Sequence, residues 1–211
     1  MLDRWTLKWI TPGLKKTADL IGKTPVSADV VTLTGFLVGI LAVPALWQEL
    51  YPAALVIILL NRILDGVDGT LARMRGPTDA GGFLDISLDF IFYSAVVLGF
   101  ALARPEQNGL AAATLILSFV GTGTSFLAFA VMAAKHNIKS VQYPQKSLYY
   151  LGGLTEGTET IAIFVAFCLF PDHFPVLAYT FAALCGLTTL LRIHAGYHTL
   201  KSHSADEDNP T

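Results

Sequence analysis

The sequence predicts an all-α, polytopic membrane protein with six transmembrane helices and an N-terminal amphipathic surface helix. Three observations lead there. Charged residues make up only 14% of the 211-residue chain, against roughly 25% in soluble domains. Long stretches carry no charge at all, namely 30–47, 110–134 and 174–191. Lys and Arg also alternate between connections in the manner of a membrane protein with a fixed orientation.

A bilayer-spanning helix needs ~20 mostly apolar residues. The three uncharged stretches qualify directly. Three further apolar runs, 51–64, 86–103 and 149–170, meet charge near one end only. The predicted spans are therefore 28–48, 51–75, 80–103, 108–135, 149–170 and 174–199. Arg4, Lys8, Lys15, Lys16 and Lys23 precede the first. Arg73 and Arg75 follow the second, Lys135, Lys139 and Lys146 the fourth, and Lys201 the sixth. The other connections hold only Arg104. Positive charge favours the cytoplasmic side, so both termini are expected there, in a bacterial inner membrane.

Ahead of the first span, Leu2, Trp5, Trp9 and Leu20 interleave with Arg4, Lys8, Lys15 and Lys16. That mixture suits a helix lying on the membrane surface, kinked at Pro12-Gly13. The expected division is a juxtamembrane segment, 1–22, a catalytic membrane domain, 23–203, and an acidic tail, 204–211. Neither the net charge of −2 nor any basic run points to nucleic acid. Cys168 and Cys185 sit in apolar runs without metal-ligand spacing and are expected to be buried thiols.

The chemistry is concentrated in one stretch. Asp65 and Asp68 are three apart on the second span; Asp85 and Asp89 are four apart on the third. Each spacing places two carboxylates on one helical face. The short connection makes these two spans antiparallel neighbours, so the pairs are expected to converge near the cytoplasmic surface. Ionisable groups at membrane depth are costly and usually functional, and four facing carboxylates repel unless protons or cations intervene. Mg²⁺ and Mn²⁺ prefer oxygen donors and commonly share them with phosphates. Two ions clamping a diphosphate are expected, with Gly69 and Ala72 leaving room for a nucleotide and Arg73 pairing with phosphate. Alternative duties are pairing of Arg62 with Asp65 and capping of the third span by Asp79. His194 and His198, four apart, read as a wet helix end.

These residues resemble the signature of the CDP-alcohol phosphatidyltransferases, D-x-x-D-G-x-x-A-R, a spacer, then G-x-x-x-D-x-x-x-D. The fixed positions are matched by Asp65, Asp68, Gly69, Ala72, Arg73, Gly81, Asp85 and Asp89. The spacer holds seven residues instead of eight and leaves Gly81 and Gly82 as rivals for the family glycine. The resemblance implies that Asp65, Asp68 and Asp85 hold the metals and that Asp89 contacts metal and acts as general base. Gly69, Ala72 and Arg73 would bind CDP, with Asp29 and Thr32 as weaker candidates from a partial match at the start of the first span. It also implies a homodimer, to which the small residues of 121–125 lend a packing surface.

The reaction so implied moves a phosphatidyl-type group from a CDP-linked lipid, CDP-diacylglycerol, to a small alcohol and releases CMP. The acceptor is expected to be water-soluble, with glycerol 3-phosphate preferred and serine, inositol or inositol phosphate as alternatives. Lys135 and Arg192 would hold its phosphate, and Glu159 its hydroxyls. A membrane prenyltransferase would need a second aspartate motif, and none follows Asp89. A cation transporter would place its carboxylates nearer mid-membrane.

Overall fold

The computed structural model describes residues 3–136 and 155–207, with side chains placed for 12–136 and 155–202. Lys139 and Lys146 lie outside the described residues, as do the tail from 208 and the side chains of Trp5, Lys8 and Trp9. All regular structure among the described residues is helical: α1 (Asp3–Gly22), α2 (Ala28–Ile40), α3 (Ala42–Trp47), α4 (Tyr51–Arg75), α5 (Asp79–Ala103), α6 (Pro105–Lys135), α7 (Gly157–Leu169) and α8 (Phe174–Glu207), with one 3₁₀ turn at Pro171–His173.

Four segments are long and apolar enough to cross a bilayer: Ala28–Trp47, Asp79–Ala103, Pro105–Lys135 and Pro171–Ser202. Helix α4 has the length, with 25 residues and so ~38 Å of rise, but it carries the charges of the second expected span. Helix α7 is apolar with 13 residues; 149–154 of the fifth expected span lie outside the described residues.

Local chemistry sets the boundaries. The first expected span is two helices because Pro44 lacks the N–H that would bond to Ile40 O, and α2 ends at Ile40. Helix α4 has Pro at its start and stops at Gly76, whose φ of 94° suits glycine. The cap of α5 is Thr78, whose Oγ1 accepts the Gly81 N–H at 3.0 Å. Asp79 instead occupies the first turn, where a carboxylate favours the helix dipole; the expected capping role falls to its neighbour. Helix α1 runs unbroken through Pro12. It packs on α4, with Ala18 buried among Val31, Val67 and Leu71 and Leu14 against Gly66.

Between apolar helices in lipid, close van der Waals contact replaces the hydrophobic drive, and glycines make it possible here. Gly35 and Gly39 of α2 lie against Leu64, Asn61 and Phe92; Gly99 of α5 lies against Leu46. Gly121 and Gly123 of α6 lie against Thr189 and Phe90, so this stripe, expected to serve a dimer, is used inside the chain. The largest packed core lies toward the end opposite the aspartates, where Phe100 stacks on Phe174 at 4.8 Å and Phe167 meets Phe174 edge-on at 4.7 Å.

One expectation is corrected. Helices α4 and α5 are antiparallel but are not packed neighbours: α2 packs on both, while α4 and α5 barely approach each other along their backbones. The side chains that lie between them are Arg62 and the four carboxylates, with Arg62 reaching from α4 to Asp89 on α5 at 2.8 Å. That separation makes the site a recess.

Candidate active site

The recess is narrow and is lined by Thr32, Gly35 and Phe36 from α2, Asn61, Arg62, Asp65 and Asp68 from α4, and Asp85, Leu88, Asp89 and Phe92 from α5. The helical spacing brings the carboxylates together as expected. One oxygen from each of Asp65, Asp68 and Asp85 lies within 4.8 Å of the others. Asp68 is 4% exposed, and its Oδ2 has no hydrogen-bond partner. A buried carboxylate oxygen left bare is costly unless something cationic meets it. Three hard oxygen donors this close together, on aspartates one of which also has an orphaned oxygen, fit a divalent cation such as Mg²⁺ or Mn²⁺.

Asp89 is held differently. Its Oδ1 accepts from Arg62 Nη2 at 2.8 Å, and its Oδ2 accepts from the Tyr93 hydroxyl at 3.3 Å. Arg62 also stands 3.6 Å from Asp65 Oδ2, donates Nη1 to Tyr93 Oη at 3.1 Å and donates Nε to Asn61 Oδ1 at 2.8 Å. Asn61, itself buried, donates Nδ2 to Gly35 O at 2.8 Å. The guanidinium lies over the Phe92 ring at 4.7 Å. Sequence reasoning treated Arg62 only as a partner for Asp65 and missed Asn61 and Tyr93. The available signals were a polar Asn-Arg pair inside an apolar helix and a tyrosine one turn beyond Asp89.

The remaining expected residues fall into two groups. Thr32 lines the recess, with its hydroxyl donating to Ala28 O at 3.1 Å. Gly69 lies on the same helix, where an added Cβ would meet only Arg73 Nη1 at 3.5 Å. Ala72 is half-buried. Arg73 is exposed and donates to Thr70 Oγ1 at 3.2 Å. Asp29 opens α2, and its Oδ1 stands 3.0 Å from where a Cβ on Gly81 would be, whereas Gly82 faces open space. Gly81 is thus the glycine under contact. Lys135, Arg192 and Glu159 do not line the recess. Lys135 is exposed in the last turn of α6. Arg192 is buried, donates Nη1 to Thr122 O at 3.2 Å and lies over Phe126. Glu159 accepts the Glu156 N–H at 3.2 Å in a capping box that starts α7. Cys168 and Cys185 are free and buried, as expected. His194 and His198 lie on the exposed side of α8, with ring centroids 4.5 Å apart and the rings tilted by 60°.

Residues 25–191 match the model of the CDP-alcohol phosphatidyltransferases. The chain belongs to this family. It is 57% identical to the inner membrane protein YnjF of Escherichia coli K12 over 96% of its own length and 98% of that protein's. It is 26% identical to an archaetidylinositol phosphate synthase of Methanothermobacter thermautotrophicus, over 92% and 96% of the two chains. A crystal structure of Mycobacterium tuberculosis phosphatidylinositol phosphate synthase with CDP-DAG bound has the same fold, with a TM-score of 0.64, 20% identity and coverage of 87% and 93%. The same enzyme has also been solved in complex with manganese and citrate, with a TM-score of 0.63. As a CDP-alcohol phosphatidyltransferase the chain is an enzyme of phospholipid biosynthesis and an integral membrane protein.

Proposed function

We propose that the enzyme transfers a phosphatidyl-type group from CDP-diacylglycerol to a small, water-soluble, phosphorylated alcohol and releases CMP. The observation that carries this reading is the convergence of Asp65, Asp68 and Asp85, with Asp68 Oδ2 buried and without a hydrogen-bond partner. That donor set would hold a divalent cation, which would supply positive charge beside a diphosphate. Binding of CDP-DAG by the structural relative supports the donor, and its manganese complex supports a divalent ion. Mg²⁺ or Mn²⁺, up to the two ions expected from four carboxylates, would supply positive charge to the diphosphate.

The chain's own residues do the rest. Gly69 and Ala72 leave the α4 surface low enough for the nucleotide, with Asp29 and Thr32 beside it and Arg73, which is exposed, turning from Thr70 toward a phosphate. Asp89 accepts the proton of the acceptor hydroxyl as its oxygen attacks the β-phosphorus. The bond from that phosphorus to the bridging oxygen breaks, and CMP departs with the electron pair. Each Asp89 oxygen accepts one hydrogen bond from the protein, so a lone pair remains for the substrate.

For the acceptor, relatives named as inositol phosphate lipid synthases support inositol phosphate at least as well as the glycerol 3-phosphate preferred from the sequence. Lys135 is the better placed of the expected phosphate partners, being exposed; Arg192 and Glu159 already serve the packing of α8 and the start of α7. In this reading α4 and α7 complete six spans, both termini face the cytoplasm of a bacterial inner membrane, and α1 lies at its surface. A homodimer rests on the family resemblance, without support from the stripe at 121–125.

The test is CMP release from CDP-diacylglycerol by purified protein offered inositol phosphate, glycerol 3-phosphate, inositol or serine. Turnover with a phosphorylated acceptor is expected. Turnover with serine or free inositol alone removes the phosphate preference, and no CMP release with any acceptor overturns the reaction.

A further inference from the structure

We infer that Arg75 is a positioning residue for the nucleotide half of the donor: from the last turn of α4 it fixes the α1–α2 connection, and through it the start of α2 at the mouth of the recess. The inference rests on the reaction proposed above and adds to it a residue that does not line the recess.

Four helix ends meet at this mouth. Helix α1 stops at Gly22, α2 starts at Ala28, α4 stops at Arg75 and α5 starts at Asp79. Arg75 reaches from one of these ends to the stretch between two others. Its Nη2 donates to Gly22 O at 3.0 Å and to Thr24 O at 2.7 Å, and its Nη1 donates to Val26 O. Helix C-termini carry bare carbonyls and partial negative charge, so a guanidinium here serves the ends of α1 and α4 together. Bonds from a charged donor are the stronger kind, and a lysine would offer one point charge in place of the fork.

The stretch so held is open to water, with 23–27 exposed throughout. Its own bonds are local: Thr24 Oγ1 donates to Ile21 O at 2.6 Å and accepts the Val26 N–H at 3.4 Å. Among the described residues, Arg75 is the side chain that bonds this stretch to another helix. What the stretch carries is the start of α2. Val26 is followed by Ser27, whose Oγ accepts the Val30 N–H at 3.3 Å and caps the helix. Asp29 then stands against Gly81 at the start of α5, and Thr32 lines the recess. Deeper in the bundle α2 is seated by Gly35 and Gly39, contacts that lie beyond its first turn. Val31 packs with Ala18 of α1 and Leu71 of α4, but apolar burial is non-directional. The directed bonds of Arg75 are what set the height of Asp29 and Thr32 against Gly69 and Ala72 across the mouth.

The experiment measures CMP release at varied CDP-diacylglycerol, together with calorimetric binding of CDP in the presence of Mg²⁺, on the full-length protein in detergent. Arg75→Gln is expected to raise the KM for CDP-diacylglycerol and the Kd for CDP about 10-fold each, with kcat within about twofold of wild type. Arg75→Lys is expected to raise both about threefold. Thr32→Val should weaken CDP binding in wild type and weaken it less in Arg75→Gln, because the arginine acts through the start of α2. An arginine that only braced the fold would lower the melting temperature or kcat and leave KM and Kd unmoved. That result would overturn the inference, as would effects of Thr32→Val and Arg75→Gln that simply add. If Arg75→Gln does not fold, Arg75→Lys decides, and an unchanged Kd for CDP there overturns the inference. CMP release by wild type tests the reaction on its own, and CDP binding is read without turnover, so the two failures are distinguishable.

Discussion

The two ends of the bundle handle charge in opposite ways. At one end, Arg104, which closes α5, holds Glu49 Oε2 with Nε and Nη2 at 3.1 and 2.6 Å and Asp172 Oδ1 with Nη1 at 2.5 Å. Tyr51 adds a hydroxyl to Glu49. These groups are open to water, with Asp172 76% exposed, and whatever charge the pairs leave over is solvated. At the other end, four aspartates meet between α4 and α5, and among the described residues Arg62 is the cation paired with them. Asp68 there is almost wholly buried. The excess of charge is similar in kind, but only the second end has a carboxylate, Asp68, almost cut off from the water that would solvate it. An under-neutralised cluster in contact with solvent is a staple between connections; the same cluster inside a recess is a binding site for something positive.

The sharpest way to break this contrast is to remove the group that carries it. Asp68→Ala is expected to bring CMP release below detection and to abolish Mn²⁺ binding, and excess chelator on wild type should do the same until Mg²⁺ or Mn²⁺ is restored. Full activity in chelator, with bound metal assayed and absent, would mean that the buried charge is balanced some other way. Asp89→Asn keeps the shape but removes the proton acceptor. CMP release should fall about 10²- to 10⁴-fold while CDP-diacylglycerol still binds, measured by competition with a labelled lipid. A near-normal rate would remove Asp89 from its proposed role.

Much of the site end was legible in the sequence, for reasons that can be named. Helix α4 begins and ends where expected because Pro52 and Gly76-Pro77 punctuate it. The three- and four-residue spacings place Asp65, Asp68 and Asp85 without any knowledge of the fold. What was not legible is long-range. A short connection suggested that α4 and α5 pack together, yet α2 packs on both, a consequence of Gly35 and Gly39 allowing close approach. The Arg62–Asp89 pair spans 27 residues and follows from that arrangement, so a local reading assigned Arg62 to its neighbour Asp65. The opposite end was missed because Glu49, Arg104 and Asp172 share no motif and are joined only by the helix lengths.

A smaller effect is expected where α2 shapes the recess. A Cβ at Gly39 would stand 2.7 Å from Asn61 Nδ2 and 2.8 Å from Phe92 Cε2. Gly39→Val should therefore cost about 1–3 kcal/mol of stability and lower turnover by moving Asn61 off Arg62 Nε. Gly82→Ala, with nothing within 4 Å, is the matched control. Thermal unfolding in detergent together with CMP release separates the two: equal loss in both variants would show that the close packing around Asn61 is not what matters.

The smallest effect belongs to the exposed end. Arg104→Gln removes both ion pairs, but exposed pairs contribute little and are screened by salt. Activity at neutral pH is expected to stay within about twofold of wild type, since the group lies a bundle's length from the recess. The sign of its pH dependence follows from Glu49, whose carboxyl is held below the usual range chiefly by its hydrogen bond from Arg104. A lowered value in the folded protein means that the contribution is present above the ordinary carboxylate range and is lost as pH falls through the lowered value. Wild type should therefore keep its small advantage in melting temperature over Arg104→Gln at neutral pH and lose it in acid, and high salt should shrink it as well. An activity loss comparable to that of Asp89→Asn would break the comparison, because it would show that the solvated end controls the chemistry as strongly as the buried one.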